Sequence, residues 1–235
     1  MSSLPTIAVI AGGLATRMGE KTRHIAKSML EVAGEPFIAH QLRLFRREGI
    51  ERVVLCVGHF NTQIEDFVGD GGRFGLSVRY SADGETLLGT GGAIRRALPM
   101  LGDVFFVTYG DSYLDIAYLP VAEAFVRSNK RGLMTVLHNE GRLDTSNVEF
   151  DDGRLIAYSK QPTPRMKHID FGLSMLRREA IANAPSDRPF DLSLLYAKLV
   201  KRGQMYGYEV TQRFYEIGSF AGLIETEAYI KTKTS

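Results

Sequence analysis

Thr6-Ile7-Ala8-Val9-Ile10-Ala11-Gly12-Gly13 is the stretch on which the fold turns. It is short, β-branched and apolar without polar alternation, so it reads as a strand buried on both faces. The glycines follow at once and read as a loop at the C-terminal end of that strand. Outward from it, apolar runs alternate with amphipathic ones. Pro36 opens a helix at its first turn, where a missing N–H costs nothing. Ile38, Leu42 and Phe45 share one face of it, and Gly49 ends it. Arg52–Val57 is the next buried strand, Thr62–Val68 a short helix and Ser77–Tyr80 a third strand. Gly91–Leu98 is a helix stopped by Pro99, and Val104–Thr108 is a strand running into Gly110 and Asp111. With right-handed crossovers, this β-α-β-α-β-α-β order predicts a three-layer α/β/α Rossmann-like fold with a mostly parallel central sheet.

The second half reads differently. Leu133–Leu137, Val148–Phe150, Leu155–Tyr158 and Gly172–Leu176 are strand-like, and Asp151-Asp152-Gly153 is a hairpin turn. Leu192–Val200 is helical, Met205–Val210 a strand and Phe220–Ile230 a closing helix. A smaller mixed-sheet lobe is therefore expected. No Pro/Gly/Ser linker separates the halves, so residues 1–235 form one domain with halves 1–115 and 116–235.

Composition narrows the function. The 235 residues are 44% apolar and 24% charged, as in ordinary globular chains. Lys and Arg number 29 against 27 Asp and Glu, a near-balance that argues against a polybasic nucleic-acid coat. The single Cys56 makes no internal disulfide, and the five histidines lack metal-ligand spacing. Apolar runs such as Val53–Gly58 fall far below the ~18 residues of a membrane helix, and the N-terminus lacks the basic start of a signal peptide. A cytoplasmic protein with no nucleic-acid or membrane partner is expected; oligomeric state is not legible.

The first loop runs Ala11-Gly12-Gly13-Leu14-Ala15-Thr16-Arg17-Met18-Gly19. Ligands of open α/β sheets bind beyond the C-terminal strand ends. Paired glycines there admit close backbone approach, backbone N–H groups cradle phosphate oxygens, and an arginine clamps them as a fork. A tight turn with a surface arginine is the plainer reading. The spacing is neither GxGxxG nor GxxxxGK[ST], which removes support for a hydride cofactor or a Walker-type fold. Lys27 gains weight only from its neighbours. Gly89-Thr90-Gly91-Gly92-Ala93-Ile94 puts small residues at a helix start, suited to an anion or a base edge or simply to a compact turn. Asp111 at a strand end is placed to hold Mg²⁺, with a helix N-cap as the competing role and Asp115 as a backup ligand.

In order and spacing, IAVIAGGLATRM, KSMLEVAGEPF, LLGTGGAI and VTYGDSYLD resemble the sugar-1-phosphate nucleotidyltransferases, or nucleoside-diphosphate-sugar pyrophosphorylases. EFDDGRLIAYSKQP, HIDFGLSML and RFYEIGSFAGL look like that family's later motifs, so the match spans most of the chain. The nearest flavour is the short bacterial type acting on heptose-, mannose- or N-acetylmuramate-1-phosphate. The resemblance implies a nucleotide-binding half at 1–115 and a sugar-phosphate-binding half at 116–235. Ala11, Gly12, Gly13, Thr16 and Arg17 would hold the nucleotide phosphates, with Lys27 beside them. Gly91 and Gly92 would line the base and sugar pocket, with Glu85 at its rim. Asp111 and Glu216 would bind Mg²⁺. Lys160 would contact the sugar phosphate, and Asn147, Asp170 and Gly172 would line the sugar pocket. Arg17, Lys27 and Asp111 would carry catalysis.

The implied reaction joins a nucleoside triphosphate, GTP before UTP, to a sugar 1-phosphate and releases pyrophosphate. Four positions depart from the family pattern: Ala15 for glycine, Ala26 for the proline before the lysine, Ser159 for a glutamate, and Glu216 for the commoner aspartate. Two alternatives accompany this reading. One is transfer to a non-sugar acceptor such as phosphocholine, a phosphonate or molybdopterin. The other is a sugar-nucleotide-binding protein without turnover.

Overall fold

The computed structural model describes residues 3–13, 24–139, 141, 143–185 and 188–234. In chain order the elements are β1 (Ile7–Ile10), β2 (Glu31–Val32), β3 (Glu35–Pro36), α1 (Phe37–Arg47), β4 (Arg52–Val57), α2 (Asn61–Val68), β5 (Ser77–Ala82) and α3 (Gly89–Ala97). There follow β6 (Val104–Tyr109), β7 (Ser112–Tyr113), α4 (Tyr118–Ser128), β8 (Gly132–His138), β9 (Val148–Asp151) and β10 (Arg154–Tyr158). The chain closes with β11 (His168–Arg177), α5 (Arg178–Ile181), α6 (Leu192–Lys201), β12 (Met205–Val210), β13 (Tyr215–Glu216) and α7 (Phe220–Thr234).

One mixed sheet takes most of these strands, in the order β5-β4-β1-β6-β11-β8-β12-β10-β9. β1 lies between β4 and β6, parallel to both, with Ile7 opposite Val53 and Phe106. Its side chains divide as the uninterrupted apolar run requires. Ile7 and Val9 enter a core shared with Ile38, Leu42 and Phe45 of α1 and with Phe125 of α4. Ala8 points to the opposite face, against Ala93 and Ile94 of α3 and Tyr196 of α6. Helix α1 begins just after Pro36, and Gly49 takes the left-handed conformation beyond its end (φ +88°).

The expected predominance of parallel pairing holds only for β5-β4-β1-β6. The far edge of β6 is taken by β11, which runs antiparallel to it and to β8. Strand β12 then pairs parallel to β8, and β10 antiparallel to β12 and β9. The second half therefore extends the first half's sheet instead of folding a sheet of its own. β11 is also longer than its sequence suggests. A bulge between Asp170 and Ser174, with Gly172 at φ +96°, breaks its alternation in the middle.

The four parallel strands deliver their C-terminal ends side by side. Gly12 packs on the Gly58 backbone, where an added Cβ would lie 3.2 Å from the Gly58 nitrogen. Gly110 packs on Ala11, where a Cβ would meet the Ala11 Cα at 3.0 Å. These contacts hold the turns after β1, β4 and β6 against one another. The short pair β7–β13 brings the distant C-terminal segment to the same place.

Candidate functional site

Two joined compartments open over these strand ends. The first, about 270 Å³, is bounded by Gly12, Gly13, Lys27, Asp83, Thr90 and Asp111. The second, about 560 Å³, is bounded by Asn147, Tyr158, Asp170, Gly172 and Glu216. Tyr109 and Asp111 line both, so Asp111 stands at the junction.

Asp111 reaches this position because β6 ends in the Tyr109-Gly110 turn. The competing capping role falls away: the next helix, α4, starts at Tyr118 with Ala117 as its cap residue. The Lys27 ammonium donates to Asp111 Oδ2 at 2.8 Å. Lys27 itself sits in a single 3₁₀ turn after Ala26. Ala26, the family's proline position, donates its N–H to Gln63 Oε1 at 3.0 Å, and Gln63 Nε2 donates to the His24 carbonyl at 2.7 Å. A side chain of α2 therefore ties down the segment that a proline would have stiffened.

Glu216 arrives from the other end of the chain. Strand β13 pairs Glu216 with Ser112, and the Ile217 N–H donates to the Asp111 carbonyl at 3.0 Å. Glu216 on β13 thus lies beside the turn that carries Asp111 into β7, and both acids line one compartment. A donor set of two carboxylates fits Mg²⁺, which takes one or two protein oxygens and completes its shell from substrate phosphates and water. Among the described residues there is no cluster of three or more His, Cys, Asp or Glu that could cage a metal alone.

In the second compartment Asn147 Oδ1 accepts the Asp170 N–H at 2.8 Å, and Asp170 Oδ1 accepts the Gly172 N–H at 3.0 Å. The left-handed Gly172 lets the chain fold back onto that carboxylate. Burial pushes the Asp170 carboxyl up to about 6, against the opposing hydrogen bonds from Gly172 and the Tyr158 hydroxyl. Asn147, Asp170 and Gly172 therefore lie together, as expected for one pocket.

Other expectations land elsewhere. Glu85 is exposed and does not line the first compartment. Asp83, which the sequence reading passed over, does. Its Oδ2 accepts the Leu88 N–H at 3.1 Å, while its buried Oδ1 has no partner among the described residues. Burial raises its carboxyl above the ordinary range. The signal was available: Asp83 follows β5 as Asp111 follows β6. Gly91 and Gly92 pack away from the cavity, which is lined instead by Gly89 and Thr90. An added Cβ on Gly91 would fall 2.2 Å from the Phe190 ring, and on Gly92 2.8 Å from Leu88 Cβ. Lys160 lies just outside the second compartment, in an ion pair with Asp191. Asp115 turns away from the cleft, bound by Arg47, by the Tyr229 hydroxyl at 2.6 Å and by Lys233 at 3.2 Å. Ala15, Thr16 and Arg17 lie outside the described residues. No helix among the described residues is long and apolar enough to cross a membrane.

Comparison with known proteins identifies the fold and the family. N-acetylmuramate alpha-1-phosphate uridylyltransferase of Caulobacter vibrioides is 28% identical over 239 residues, covering 97% of this chain and 98% of that one. UTP–glucose-1-phosphate uridylyltransferase of Synechocystis is 25% identical over 226 residues, 88% of this chain and 58% of the relative. The chain spans between about half and three fifths of the length of the first curated relatives it matches. The crystal structure of HddC from Yersinia pseudotuberculosis complexed with GMP-PN shares the fold, with TM-score 0.81, 21% identity, and coverage of 97% of this chain and all of that one. Residues 7–168 match the model of the MobA-like NTP transferase domain, from the first strand through the start of β11. With its glycine turn, Asp111 and the parallel strand ends all inside that match, the chain belongs to the MobA-like NTP transferase family.

Proposed function

We propose that this protein transfers a nucleotidyl group from a nucleoside triphosphate to a sugar 1-phosphate, giving a nucleoside-diphosphate sugar and pyrophosphate. The observation that carries the reading is the position of Asp111. It joins a glycine-walled compartment to one bearing Asn147 and Asp170, with Glu216 on the adjoining strand. We read 1–115 as the nucleotide half and 116–235 as the acceptor half of one domain, with helices on both faces of the sheet in three layers.

In the reaction a phosphate oxygen of the acceptor attacks the α-phosphorus, and the bond to pyrophosphate breaks. Two anions must approach, so the barrier is mainly electrostatic and no covalent protein intermediate is required. The turn at Gly12 and Gly13 lets phosphate oxygens reach the backbone; a Cβ on Gly13 would meet no atom of the described residues within 4 Å. Lys27, already at the junction, supplies positive charge to the phosphates, and Arg17 is assigned to the leaving pyrophosphate. Asn147 and Asp170 orient acceptor hydroxyls, and Lys160 meets the acceptor phosphate. Asp111 and Glu216 would hold Mg²⁺, which supplies Lewis-acid neutralisation of the phosphate charge when bound.

For the base we favour guanine, with uracil next. The Oδ1 of Asp83, without a partner among the described residues, is an acceptor beside an otherwise apolar wall of Cys56, Leu87 and Ala93. Guanine offers two adjacent N–H donors to such a carboxylate, and uracil only one. The heptose- and mannose-directed relatives named guanylyltransferases lend the same support. The test is pyrophosphate release from each of four triphosphates paired with glucose-, mannose-, heptose- and N-acetylmuramate-1-phosphate in Mg²⁺. Release with at least one sugar phosphate, fastest with GTP, is expected. Release with none of them defeats the sugar assignment.

A further inference from the structure

Asp191 begins α6 and uses its carboxylate three ways. Oδ1 accepts the Ser193 N–H at 2.9 Å, capping the helix, and takes the Thr90 hydroxyl at 3.3 Å. Oδ2 takes the Lys160 ammonium. Thr90 Oγ1 in turn accepts the Leu192 N–H at 2.8 Å. The Phe190 N–H donates to the Leu88 carbonyl at 3.0 Å, and the Gly91 N–H to the Phe190 carbonyl at 3.0 Å. The start of α6 is therefore laced to the turn that opens α3, and that turn lines the first compartment with Gly89 and Thr90.

Lys160 approaches from the opposite side. It stands two residues past Tyr158, which lines the second compartment. Its side chain is 67% exposed. A lysine so exposed samples many rotamers, and an ordinary surface ion pair holds it only weakly. Asp191 differs from an ordinary surface partner because its carboxylate is itself fixed by a backbone N–H and a hydroxyl.

We propose that Asp191 is the positioning residue for Lys160. It anchors the ammonium at the seam between the nucleotide-side turn and the acceptor compartment, where the cation meets an incoming phosphate. This rests on the nucleotidyl-transfer reading for the phosphate's identity, but the anchoring itself does not.

Asp191→Asn separates the charge from the cap, since asparagine caps a helix as well as aspartate. In the full chain, amine acylation followed by mass spectrometry reads the access of Lys160, with Lys201 as internal reference. The substitution is expected to raise Lys160 labelling at least about threefold, as release from an ion pair implies. It is also expected to raise the KM for the sugar 1-phosphate about fivefold or more, with kcat and the triphosphate KM within about twofold. In a Lys160→Met background, Asp191→Asn should add nothing further to that KM. Unchanged Lys160 labelling overturns the proposal, as do independent, multiplying effects of the two substitutions. If the wild-type chain releases no pyrophosphate with any acceptor, the transfer reading falls while the labelling still decides whether Asp191 holds Lys160.

Discussion

Lys27 and Asp111 are joined at 2.8 Å at the junction of the two compartments, with side chains 20% and 28% exposed. An ion pair so placed contributes little to stability, because water still reaches it. Its value lies in where it puts charge. Asp111→Asn is expected to leave the melting temperature nearly unchanged while turnover falls at least ~100-fold, the scale of one lost electrostatic contact in a reacting site. Pyrophosphate release at near wild-type rate by that variant would remove Asp111 from the chemistry.

Gln63 of α2 ties down the segment that leads to Lys27. It grips both the Ala26 N–H and the His24 carbonyl. Gln63→Leu removes both bonds, each worth about 1 kcal/mol. The triphosphate KM is expected to rise several-fold while the acceptor KM stays put. Ala26 already has φ −59°, the value proline imposes. Adding Ala26→Pro to the Gln63→Leu variant should therefore restore the triphosphate KM. If it does not, the Gln63 contacts do not act through the stiffness of the Lys27 segment.

What the sequence made legible follows from what is local. The strands at Ile7–Ile10, Arg52–Val57 and Val104–Tyr109 carry continuous apolar runs, and the glycines and aspartate that follow β1 and β6 mark the cavity. Glu216 could be placed only through resemblance, because β7–β13 is a two-residue pairing without a hydrophobic period of its own. Glu85 and Asp83 are two residues apart, and only the fold of the β5–α3 loop decides which faces the cavity. Glycine carries a similar ambiguity. Gly13 has no described residue within 4 Å of where a Cβ would stand, whereas Gly91 stands beside a phenylalanine ring that no local pattern announces.

That difference between the two glycines is testable. Gly91→Ala drives a methyl into the Phe190 ring, and overpacking of this kind costs about 1–3 kcal/mol. A lower melting temperature is expected, recovered in large part by adding Phe190→Leu. Gly13→Ala should melt like wild type and raise the triphosphate KM instead. Equal thermal loss in the two single variants would mean that Gly91 is not confined by packing.

Asp170 ties stability and acceptor binding to pH. Its carboxyl titrates near 6 in the folded chain, raised by burial from the ordinary value of 3.8. Between those values the folded state holds a proton that the unfolded state has released, so stability falls as pH rises from about 4 to about 6 and is level above. A shift of this size corresponds to at most roughly 3 kcal/mol. Asp170→Asn keeps an oxygen for the Gly172 N–H and carries no titration. Its stability relative to wild type should therefore climb across that window and then plateau, as urea melts at pH 4.5, 5.5, 6.5 and 7.5 would show. The same proton changes what the pocket offers to a sugar. Below pH 6 the carboxyl can donate a hydrogen bond, and above it the carboxylate only accepts. The acceptor phosphate itself ionises at about pH 6, so the wild-type KM should bend there more steeply than the phosphate alone dictates, and only that excess should be lost in Asp170→Asn. KM profiles of the same shape in wild type and Asp170→Asn would separate Asp170 from the acceptor even if the melts followed the expected course.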